Sequence, residues 1–417
     1  MLKRLWRYFD KIFQLKKALS ELKNEGFSKR YNEPLLTQIL LIAMLMRLPS
    51  FNSLDQCTHR NSKVWKKLLN TEEVPSVFTL ARGLRKSDID GLRRFVKESN
   101  HKLRRNKALD TSNSSYGFMV AAVDGHETIS SELRCCEGCK VREKTVKEEK
   151  VDEYYHQYVI CQLVLCSIPV VIDQEPIGPG EGELTAGRRL IERILREQAR
   201  MIDIFCFDAL YLDSKLLNRL DKANKYWIAV LKQENREAYQ EVDSLVEVAQ
   251  PIEMKINKNR EVTLWDMDGL VGWDNLDKPF RALVSKEREY KYKRVSRQKK
   301  IKVVESSQWR WLTNMPSSYP AKIVYHLAHG RWHVENRGFN DLVNNCHFDH
   351  PFHHHRHALL AMLWIISIAF NLSYAFFNRN LKCQLKDKCI NSRSQLAMAI
   401  IETFNSLNEP LFQIRPP

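Results

Sequence analysis

A short apolar run that ends in an acidic residue constrains this chain more than any other feature. The run covers residues 204–207; it is rich in strand-forming side chains and too short for a helix. Asp208 follows it directly, and a helical pattern of leucines begins at Leu212. This order predicts an α/β unit with a carboxylate at the carboxyl end of a strand, where such folds place their ligands and chemistry. The alternative is that Asp208 only caps the following helix.

The composition favours a folded protein that binds a polyanion. The chain has 417 residues, enough for two or three domains, and a formal net charge of +16. Nucleic acid is the first candidate for the partner of such a chain, and an anionic membrane is the second. Because the amino terminus lacks the long apolar core of a secretory signal, we expect the ten cysteines to be reduced thiols in a cytosol, or metal ligands.

One uncharged segment tests the prediction that no membrane is involved. Residues 358–377 are long enough to span a bilayer. The segment contains four polar residues (Ser367, Asn371, Ser373 and Tyr374) and is the only one of its kind in the sequence. We therefore predict a helix buried against a sheet, with a membrane-anchored basic protein as the alternative.

The pattern of elements predicts a helical region followed by an α/β core. Residues 1–110 read as mostly helix, including a basic amphipathic helix over residues 88–107, and predict a DNA-binding domain. After a polar linker the order becomes strand, strand, strand, helix, strand, helix, strand; Asp124 ends the first strand, and Gly125 predicts a turn. That is the order of a ribonuclease H-like core, although periodicity alone does not separate it from other α/β sheets.

The rest of the sequence predicts that an insertion interrupts this core and that helices then complete it. Short strands between residues 232 and 320 indicate a β-rich insertion, and helices follow it. The fold class is therefore α/β, a ribonuclease H-like mixed sheet with a β-rich insertion, preceded by an all-helical domain and followed by C-terminal helices. The predicted boundaries are 1–110 for the helical DNA-binding domain, 111–231 for the first part of the core, 232–320 for the insertion, 321–378 for the core's completion and 379–417 for a helical tail.

A basic run with interleaved tyrosines lies inside the insertion. Residues 286–302 hold nine lysines and arginines against two glutamates. Aromatic side chains among basic ones favour contact with a nucleic-acid backbone and stacked bases, whereas a solubilising loop is the alternative. The candidate DNA-binding residues are Lys291, Lys293, Arg294, Arg297, Lys299, Lys300, Trp309 and, further on, Arg331.

Three acids are expected to meet. Asp124 and Asp208 end strands that neighbour each other in a ribonuclease H-like sheet. Glu335 belongs to a helix predicted over residues 323–345, where Arg331 shares its face at i, i+4. For Arg331 and Glu335 the alternative is a surface ion pair. Three converging carboxylates offer the hard oxygen ligands that two Mg²⁺ ions require, and two metals suit an in-line phosphoryl transfer. Asp124, Asp208 and Glu335 are thus the predicted catalytic and metal-binding residues.

These motifs resemble the DDE transposases of bacterial insertion sequences, in particular the insertion-sequence-four type. The resemblance rests on Val123-Asp124-Gly125, on Phe207-Asp208-Ala209-Leu-Tyr and on the segment from Arg331 to Asn336, and covers roughly residues 70–375. It implies a cut-and-paste transposase that uses two Mg²⁺ ions, with Mn²⁺ substituting. It also implies a homodimer on paired element ends that acts on double-stranded DNA, on terminal inverted repeats and then on target DNA.

Two further features of the family can be compared with this sequence. They are the signature residues around the third acid, where this sequence departs from the family, and a tryptophan in the insertion. The family's signature Tyr and Lys around the third acid correspond to Ala328 and Leu342 here, or Val343 if Gly338 is an inserted residue. In relatives a tryptophan of the insertion holds a flipped base. The candidates are Trp265, Trp273, Trp309 and Trp311; the alternative for each is a place in the core.

Cysteines and histidines indicate a second kind of metal site, and the alternative is a turn that binds no metal. Cys136 and Cys139 form a CxxC pair, and a structural zinc would need about four ligands. His126, His156 and Cys161 are available. The six histidines between residues 347 and 357 are expected at the exposed start of a helix, where phosphate contact is more plausible than catalysis. Glu127, Glu181 and Glu183 are weaker candidates for a place near the first acid.

The function predicted from these residues is a Mg²⁺-dependent DNA transposase in the bacterial cytoplasm, associated with the nucleoid. Two alternatives stay open. A nuclease of the same fold would cut DNA without joining it, and an inactivated or domesticated transposase would bind DNA without catalysis.

Overall fold

The computed structural model describes residues 1–28, 30–109, 116–232, 234, 236–294, 300–332, 338–350, 352–381, 390 and 392–406. Within these residues the chain forms fourteen α-helices and ten β-strands. The helices are α1 (Leu2–Phe13), α2 (Leu15–Ser20), α3 (Glu33–Leu45), α4 (Phe51–Arg60), α5 (Ser62–Leu69), α6 (Val77–Leu84), α7 (Ile89–Arg105), α8 (Glu183–Glu197), α9 (Ser214–Lys222), α10 (Glu237–Val246), α11 (Ala321–His329), α12 (Asn340–Cys346), α13 (Arg356–Phe376) and α14 (Arg393–Asn405).

The strands alternate with helices in the middle of the chain and then follow one another directly. They are β1 (Val120–Ser131), β2 (Lys140–Val146), β3 (Glu149–Val164), β4 (Val170–Ile177), β5 (Ile204–Phe207), β6 (Tyr226–Val230), β7 (Ile252–Asn257), β8 (Arg260–Leu270), β9 (Phe280–Arg294) and β10 (Lys300–Thr313).

The chain forms two compact units. The first contains Met1–Asp110, Gly125–Met201 and Val334–Pro417, and the second contains Thr111–Asp124 and Ile202–His333. Strand β1 passes from the second unit to the first after Asp124. Residues 120–124 of β1 therefore belong to the second unit, and residues 125–131 belong to the first.

The sheet of the second unit is mixed. Strand β5 pairs in parallel with β1 on one side and with β6 on the other. Strand β10 runs antiparallel to β6, and β9, β8 and β7 continue from it as an antiparallel meander. This arrangement confirms the predicted ribonuclease H-like mixed sheet, and the meander is its β-rich insertion.

The first unit combines helices with an antiparallel set of strands. Strand β3 pairs with β2 and with β4, both antiparallel. Helix α13 is apolar and buried along most of its length, and it packs on α3, α6, α7 and β4. Asn371 on α13 accepts a hydrogen bond from the backbone N–H of Val171, so its polar group is satisfied in the interior.

Helix α13 is the one described helix that is long and apolar enough to cross a membrane. In its most apolar stretch of 18 residues, 83% of the residues are buried. A core helix of a folded domain has the same length and composition, and the contacts of α13 agree with the predicted burial against a sheet.

Capping side chains fix several helix starts where the sequence predicts them. Ser76 accepts a hydrogen bond from the backbone N–H of Thr79, so α6 begins after the Pro75-Ser76 pair. Asp88 caps α7 in the same way through Gly91, and Asp213 caps α9 through Leu216. The cap on α9 matters for the acid five residues earlier, because it leaves Asp208 free of that role.

Gly125 is not in a turn, and that prediction is wrong. Strand β1 continues through it to Ser131. The reason for glycine is a close approach, because a Cβ added at residue 125 would overlap the carboxylate of Glu183. Glu183 stands at the first position of α8 and accepts a hydrogen bond from Gln157 Nε2 at 3.4 Å.

The helix predicted over residues 323–345 is also wrong in its extent. Helix α11 ends at His329, and a turn at Gly330 and Arg331 follows. Glycine is a poor helix former, and the backbone N–H of Arg331 bonds to the carbonyl of Ala328, three residues back instead of four. Arg331 therefore lies in a turn and not inside a regular α-helix.

Two strands of the structure differ from the sequence pattern. Strand β2 is absent from the prediction, because its exposed, charged residues carry no apolar alternation. Strand β10 is one continuous strand where the sequence predicts two, over residues 301–304 and 309–313. Its partner β9 pairs with it from Lys300 to Thr313 without a break.

Candidate active site

Asp124 and Asp208 follow the paired residues of two adjacent parallel strands, β1 and β5, at the same interval. The paired residues of β1 and β5 end with Ala122 opposite Cys206. Each aspartate lies two residues beyond its member of that pair, so continuing the register sets them opposite each other and on the same face of the sheet. Adjacent strands are about 4.8 Å apart. Both side chains are half-buried.

Asp208 caps the short 3₁₀ turn after β5, but it does not cap the α-helix that follows. Its backbone stays extended, with φ −81° and ψ −178°, and a single 3₁₀ turn (Ala209–Tyr211) follows. One carboxylate oxygen, Oδ1, accepts a hydrogen bond from the backbone N–H of Leu210 at 2.9 Å. The α-helix itself is capped by Asp213. The alternative that Asp208 serves as the cap of α9 is therefore not what the structure shows.

Arg331 is the cation at Asp124. Its Nη1 donates a hydrogen bond to Asp124 Oδ2 at 3.2 Å, within the second unit. The Arg331 side chain is 8% exposed and that of Asp124 is 17% exposed, so the pair is largely withdrawn from solvent. A buried guanidinium requires an anionic partner, and Asp124 supplies one.

The third predicted acid, Glu335, lies outside the described residues. Its place relative to Asp124 and Asp208 stays a prediction.

The basic run forms the distal part of the β9–β10 hairpin. Lys291 forms ion pairs with Glu289 and Glu305 on its own and the neighbouring strand. The backbones of Lys293, Arg294 and Lys300 belong to the ladder, while Arg297 and Lys299 lie outside the described residues. Lys291 is thus partly neutralised in the protein alone, and the role of the whole run in DNA binding stays a prediction.

Aromatic side chains cluster where β10 approaches the end of α11. Trp309 meets Trp332 edge to face with ring centroids 4.6 Å apart, and Trp311 and His329 complete the group. Trp265 and Trp311 are buried, and Trp309 is half-buried. Trp332 is 36% exposed. It is not among the candidates from the sequence because it lies outside the insertion.

An ion trio lies beside this aromatic cluster. Glu287 on β9 accepts a hydrogen bond from His329 Nε2 at 2.8 Å and forms an ion pair with Arg260. Burial alone would raise the pKa of Glu287, but the bonds from His329 and Arg260 outweigh it and lower that pKa to about 2. The carboxylate is therefore ionised and paired, which suits a structural role.

Comparison with known families decides the class of the protein. The family model described as "Transposase DDE domain" matches residues 130–372, more than half of the chain.

The chain belongs to the DDE transposase family.

The match contains Asp208, Arg331 and Glu335, and it begins six residues after Asp124. Members of this family act on DNA and normally use divalent metals. No curated protein matches this transposase.

The transposase departs from the family signature at residues that the structure places in its interior. Ala328, at the Tyr position, is 5% exposed, and Leu342, at the Lys position, is fully buried. Neither side chain carries a group that could hold a phosphate.

The weaker acidic candidates have structural partners. Glu127 forms a bidentate pair with Arg142 across to β2, and Glu181 pairs with Arg189 on α8. The bond from Arg189 lowers the pKa of Glu181. These two carboxylates stabilise the first unit.

The histidine run of the transposase does not form an exposed helix start, so that expectation is wrong. His347 and His357 bond through Nε2 to the backbone carbonyls of Arg47 and Ser87, at 3.1 and 2.8 Å. Burial, followed by the charge of Arg85, lowers the pKa of His353 to about 4. These histidines are half-buried because they fasten the segment before α13 to the N-terminal helices.

His354 has a different role, because it faces the CxxC pair together with His156. The nitrogen and sulfur atoms of Cys136, Cys139, His156 and His354 lie within 4.8 Å of one another. The other ligands that the sequence offers are elsewhere: His126 bonds to Asp349, and Cys161 is buried in β3. Burial raises the pKa of Cys139 to about 11 and lowers that of His156 to about 4.

Proposed function

We propose that this protein is a cut-and-paste DNA transposase of the insertion-sequence-four type, with Asp124, Asp208 and Glu335 as its metal-binding catalytic residues. The observation that carries the proposal is the register of β1 and β5, which supports a common site for Asp124 and Asp208. Its substrates are double-stranded DNA, first the element's terminal inverted repeats and then a target. It works as a homodimer on paired ends, at the nucleoid in the bacterial cytoplasm.

The residues at the strand ends fit a hard divalent cation. Carboxylate oxygens are the ligands that Mg²⁺ and Mn²⁺ prefer, and both aspartates are half-buried, so they keep some contact with solvent. Two Mg²⁺ ions bound there, with Mn²⁺ substituting, supply charge for the attacking and leaving oxygens of an in-line phosphoryl transfer. Glu335 completes the ligand set in this proposal.

Arg331 acts as a positioning residue. In the protein alone it neutralises Asp124. With a divalent cation held by the aspartates, the guanidinium would bind a phosphate of the DNA with two parallel hydrogen bonds. Arg331 thus takes part in the phosphate binding for which Ala328 and Leu342 carry no suitable group.

The β9–β10 hairpin and the aromatic cluster form the DNA interface in this proposal. Lysine and arginine along the hairpin contact the phosphate backbone, where Lys291 exchanges Glu289 and Glu305 for DNA. Trp309, supported by Trp332, offers a half-exposed ring to an unstacked base. The remaining candidates of this interface are Lys293, Arg294, Arg297, Lys299 and Lys300.

The proposal keeps the domain boundaries of the sequence analysis. Residues 1–110 are assigned to DNA binding, 111–231 and 321–378 to the catalytic core, 232–320 to the insertion and 379–417 to the tail.

A DNA processing assay tests the function. Purified protein is incubated with a linear fragment that carries the gene and its genomic flanks, with Mg²⁺ or Mn²⁺, and nicks and joined products are mapped. We expect cleavage at inverted repeats followed by strand joining, both lost in Asp124→Ala, Asp208→Ala and Glu335→Ala. Asp274→Asn, which changes an exposed acid of the second unit, is the control and keeps activity.

Other outcomes identify the alternatives. Cleavage without any joining would indicate a nuclease. DNA binding that persists in all three variants, with no cutting by the parent protein, would indicate a non-catalytic DNA-binding protein. Membrane fractions that retain the protein in high salt would indicate an anchor formed by α13.

A further inference from the structure

The four side chains at the CxxC turn come from three separate segments. Cys136 and Cys139 flank the turn between β1 and β2, His156 is on β3, and His354 precedes α13. All four belong to the first unit. Because β2 and β3 pair with Lys140 opposite Tyr155, the next step of the register sets Cys139 opposite His156.

Four distances within this cluster are close to those of tetrahedral coordination, and all of them lie within 4.8 Å. The two sulfur atoms are 3.8 Å apart, and the Nε2 atom of His156 lies 3.4 Å from each of them. His354 Nε2 is 3.1 Å from the sulfur of Cys139. Zinc bonds of about 2.3 Å to sulfur and about 2.0 Å to nitrogen give S···S near 3.8 Å and S···N near 3.5 Å in a tetrahedron.

The turn that carries the cysteines has the backbone bonds of a metal-binding loop. The backbone N–H of Cys136 donates to Cys139 Sγ at 3.2 Å, and the N–H of Cys139 donates to the carbonyl of Cys136 at 3.0 Å. Gly138 completes the turn, and a Cβ there would come within 2.8 Å of Arg356 side-chain atoms, so the turn is held close to the start of α13.

The alternatives explain fewer of these contacts. A disulfide would need the sulfurs at about 2.05 Å, and it would leave the two imidazoles without a purpose. A nucleophilic thiol must be reachable, whereas Cys139 is 6% exposed. A core histidine ordinarily bonds to one carbonyl or carboxylate, but here two imidazoles direct Nε2 toward two thiols.

We propose that Cys136, Cys139, His156 and His354 bind one structural zinc ion. A closed set of two sulfurs and two imidazole nitrogens selects zinc and leaves no open position for a substrate. The ion joins the β1–β2 turn and strand β3 to the segment before α13, across 215 residues of chain between Cys139 and His354. The site is chemically distinct from the carboxylates proposed for Mg²⁺, so it does not depend on the proposed function.

Metal analysis of the full-length protein is the first test. Protein purified without chelators is measured by inductively coupled plasma mass spectrometry, and X-ray absorption at the zinc edge gives its ligands. We expect one zinc per chain with two sulfur and two nitrogen ligands at the distances above. Three results would overturn the proposal: iron in place of zinc, a ligand shell made only of oxygen, or a zinc content below about a tenth of an equivalent even after reduced protein is incubated with Zn²⁺.

Matched variants then assign the ligands. Cys139→Ser and His354→Gln should lose zinc and melt several degrees lower than the parent protein. Cys135→Ser and His355→Gln change the adjacent cysteine and histidine and should keep both zinc and melting temperature. Equal zinc loss in ligand and control variants contradicts the proposal.

Cobalt provides a measurement that does not require the variants to fold. The parent protein is stripped of zinc under reducing conditions and titrated with Co²⁺, and its visible spectrum is recorded. Intense tetrahedral bands with sulfur-to-cobalt charge transfer, displaced by one equivalent of Zn²⁺, support the site. A weak octahedral spectrum contradicts it. DNA cleavage is not the readout, so failure here is distinguishable from failure of the proposed transposase chemistry.

Discussion

The aspartate pair and the Cys/His cluster are two proposed metal sites that are built in opposite ways. Asp124 and Asp208 each lie two residues beyond the paired segment of β1 and β5, two adjacent parallel strands, and they offer hard oxygens at half-buried positions. The Cys/His cluster is assembled from a turn, a strand and a distant segment, and its soft ligands close around their centre. The difference teaches that an open site with positions left for water and phosphate suits chemistry, whereas a closed one suits stability.

The largest expected effect separates the two sites by function. Asp208→Asn keeps an oxygen for the N–H of Leu210 but removes the charge, so DNA cleavage should fall on the order of 10²- to 10³-fold, as for other preorganised charge-stabilising groups. Zinc content and melting temperature should stay at parent values. Quantitative cleavage kinetics and metal analysis of the same preparation check both. Loss of zinc in this variant would break the comparison.

Arg331→Gln sharpens the account of the open site, because its two effects have opposite signs. Removing the guanidinium frees Asp124 from a competing cation, so the protein without DNA should bind Mn²⁺ a few-fold more tightly. Cleavage of DNA should nevertheless fall roughly 10- to 100-fold, since a group that orients the site is gone. Calorimetric Mn²⁺ titration and cleavage rates measure the two. A parallel decrease of both would mean that Arg331 only supports folding.

Glu287 tests whether a paired acid serves stability alone. Its folded pKa of about 2 lies below the ordinary value of 4.5, so its contribution is present at neutral pH and is lost as the pH falls from about 4.5 towards 2. Glu287→Gln should lower the free energy of unfolding by about 1–3 kcal/mol at pH 7, and the gap to the parent should narrow below pH 4. Denaturant unfolding at pH 7, 5 and 3.5 checks this. A gap that does not change with pH would contradict the ion-pair explanation.

Gly125→Ala should give the smallest effect, about 1 kcal/mol of lost stability, because its Cβ forces the Glu183 carboxylate away from Gln157. The double variant Gly125→Ala with Glu183→Ala removes the obstruction, and we expect it to recover most of that loss relative to Glu183→Ala alone. Thermal unfolding of the four proteins completes the cycle. An additive double variant would show that the glycine serves another purpose.

The sequence was informative where neighbouring residues determine the structure. Strand β5 has the predicted limits, Ile204–Phe207, because an apolar run between polar residues is a local signal. The place of Asp208 directly after β5 was predicted correctly, whereas Asp124 lies inside β1 and not at its end, where the sequence predicts it. Helix α13 was predictable for the same reason, since its length and lack of charge are visible directly.

Contacts between distant segments were not visible. Nothing in the pattern connects His354 with Cys139, and strand β2 was missed because its hairpin turns through Lys147 and Glu148 instead of a glycine-containing pair. Recognising that hairpin would have set His156 opposite Cys139 and supplied a third ligand. Gly125 misled for a related reason, because what requires a glycine there is a side chain from another element, Glu183.

Anomalous diffraction from crystals soaked in Mn²⁺ tests the central claim most directly, namely that Asp124 and Asp208 share a divalent cation. At the manganese edge we predict a peak within about 2–2.5 Å of a carboxylate oxygen from each of the two aspartates. Manganese bound at only one of them, or at neither while both side chains are ordered, would contradict the account.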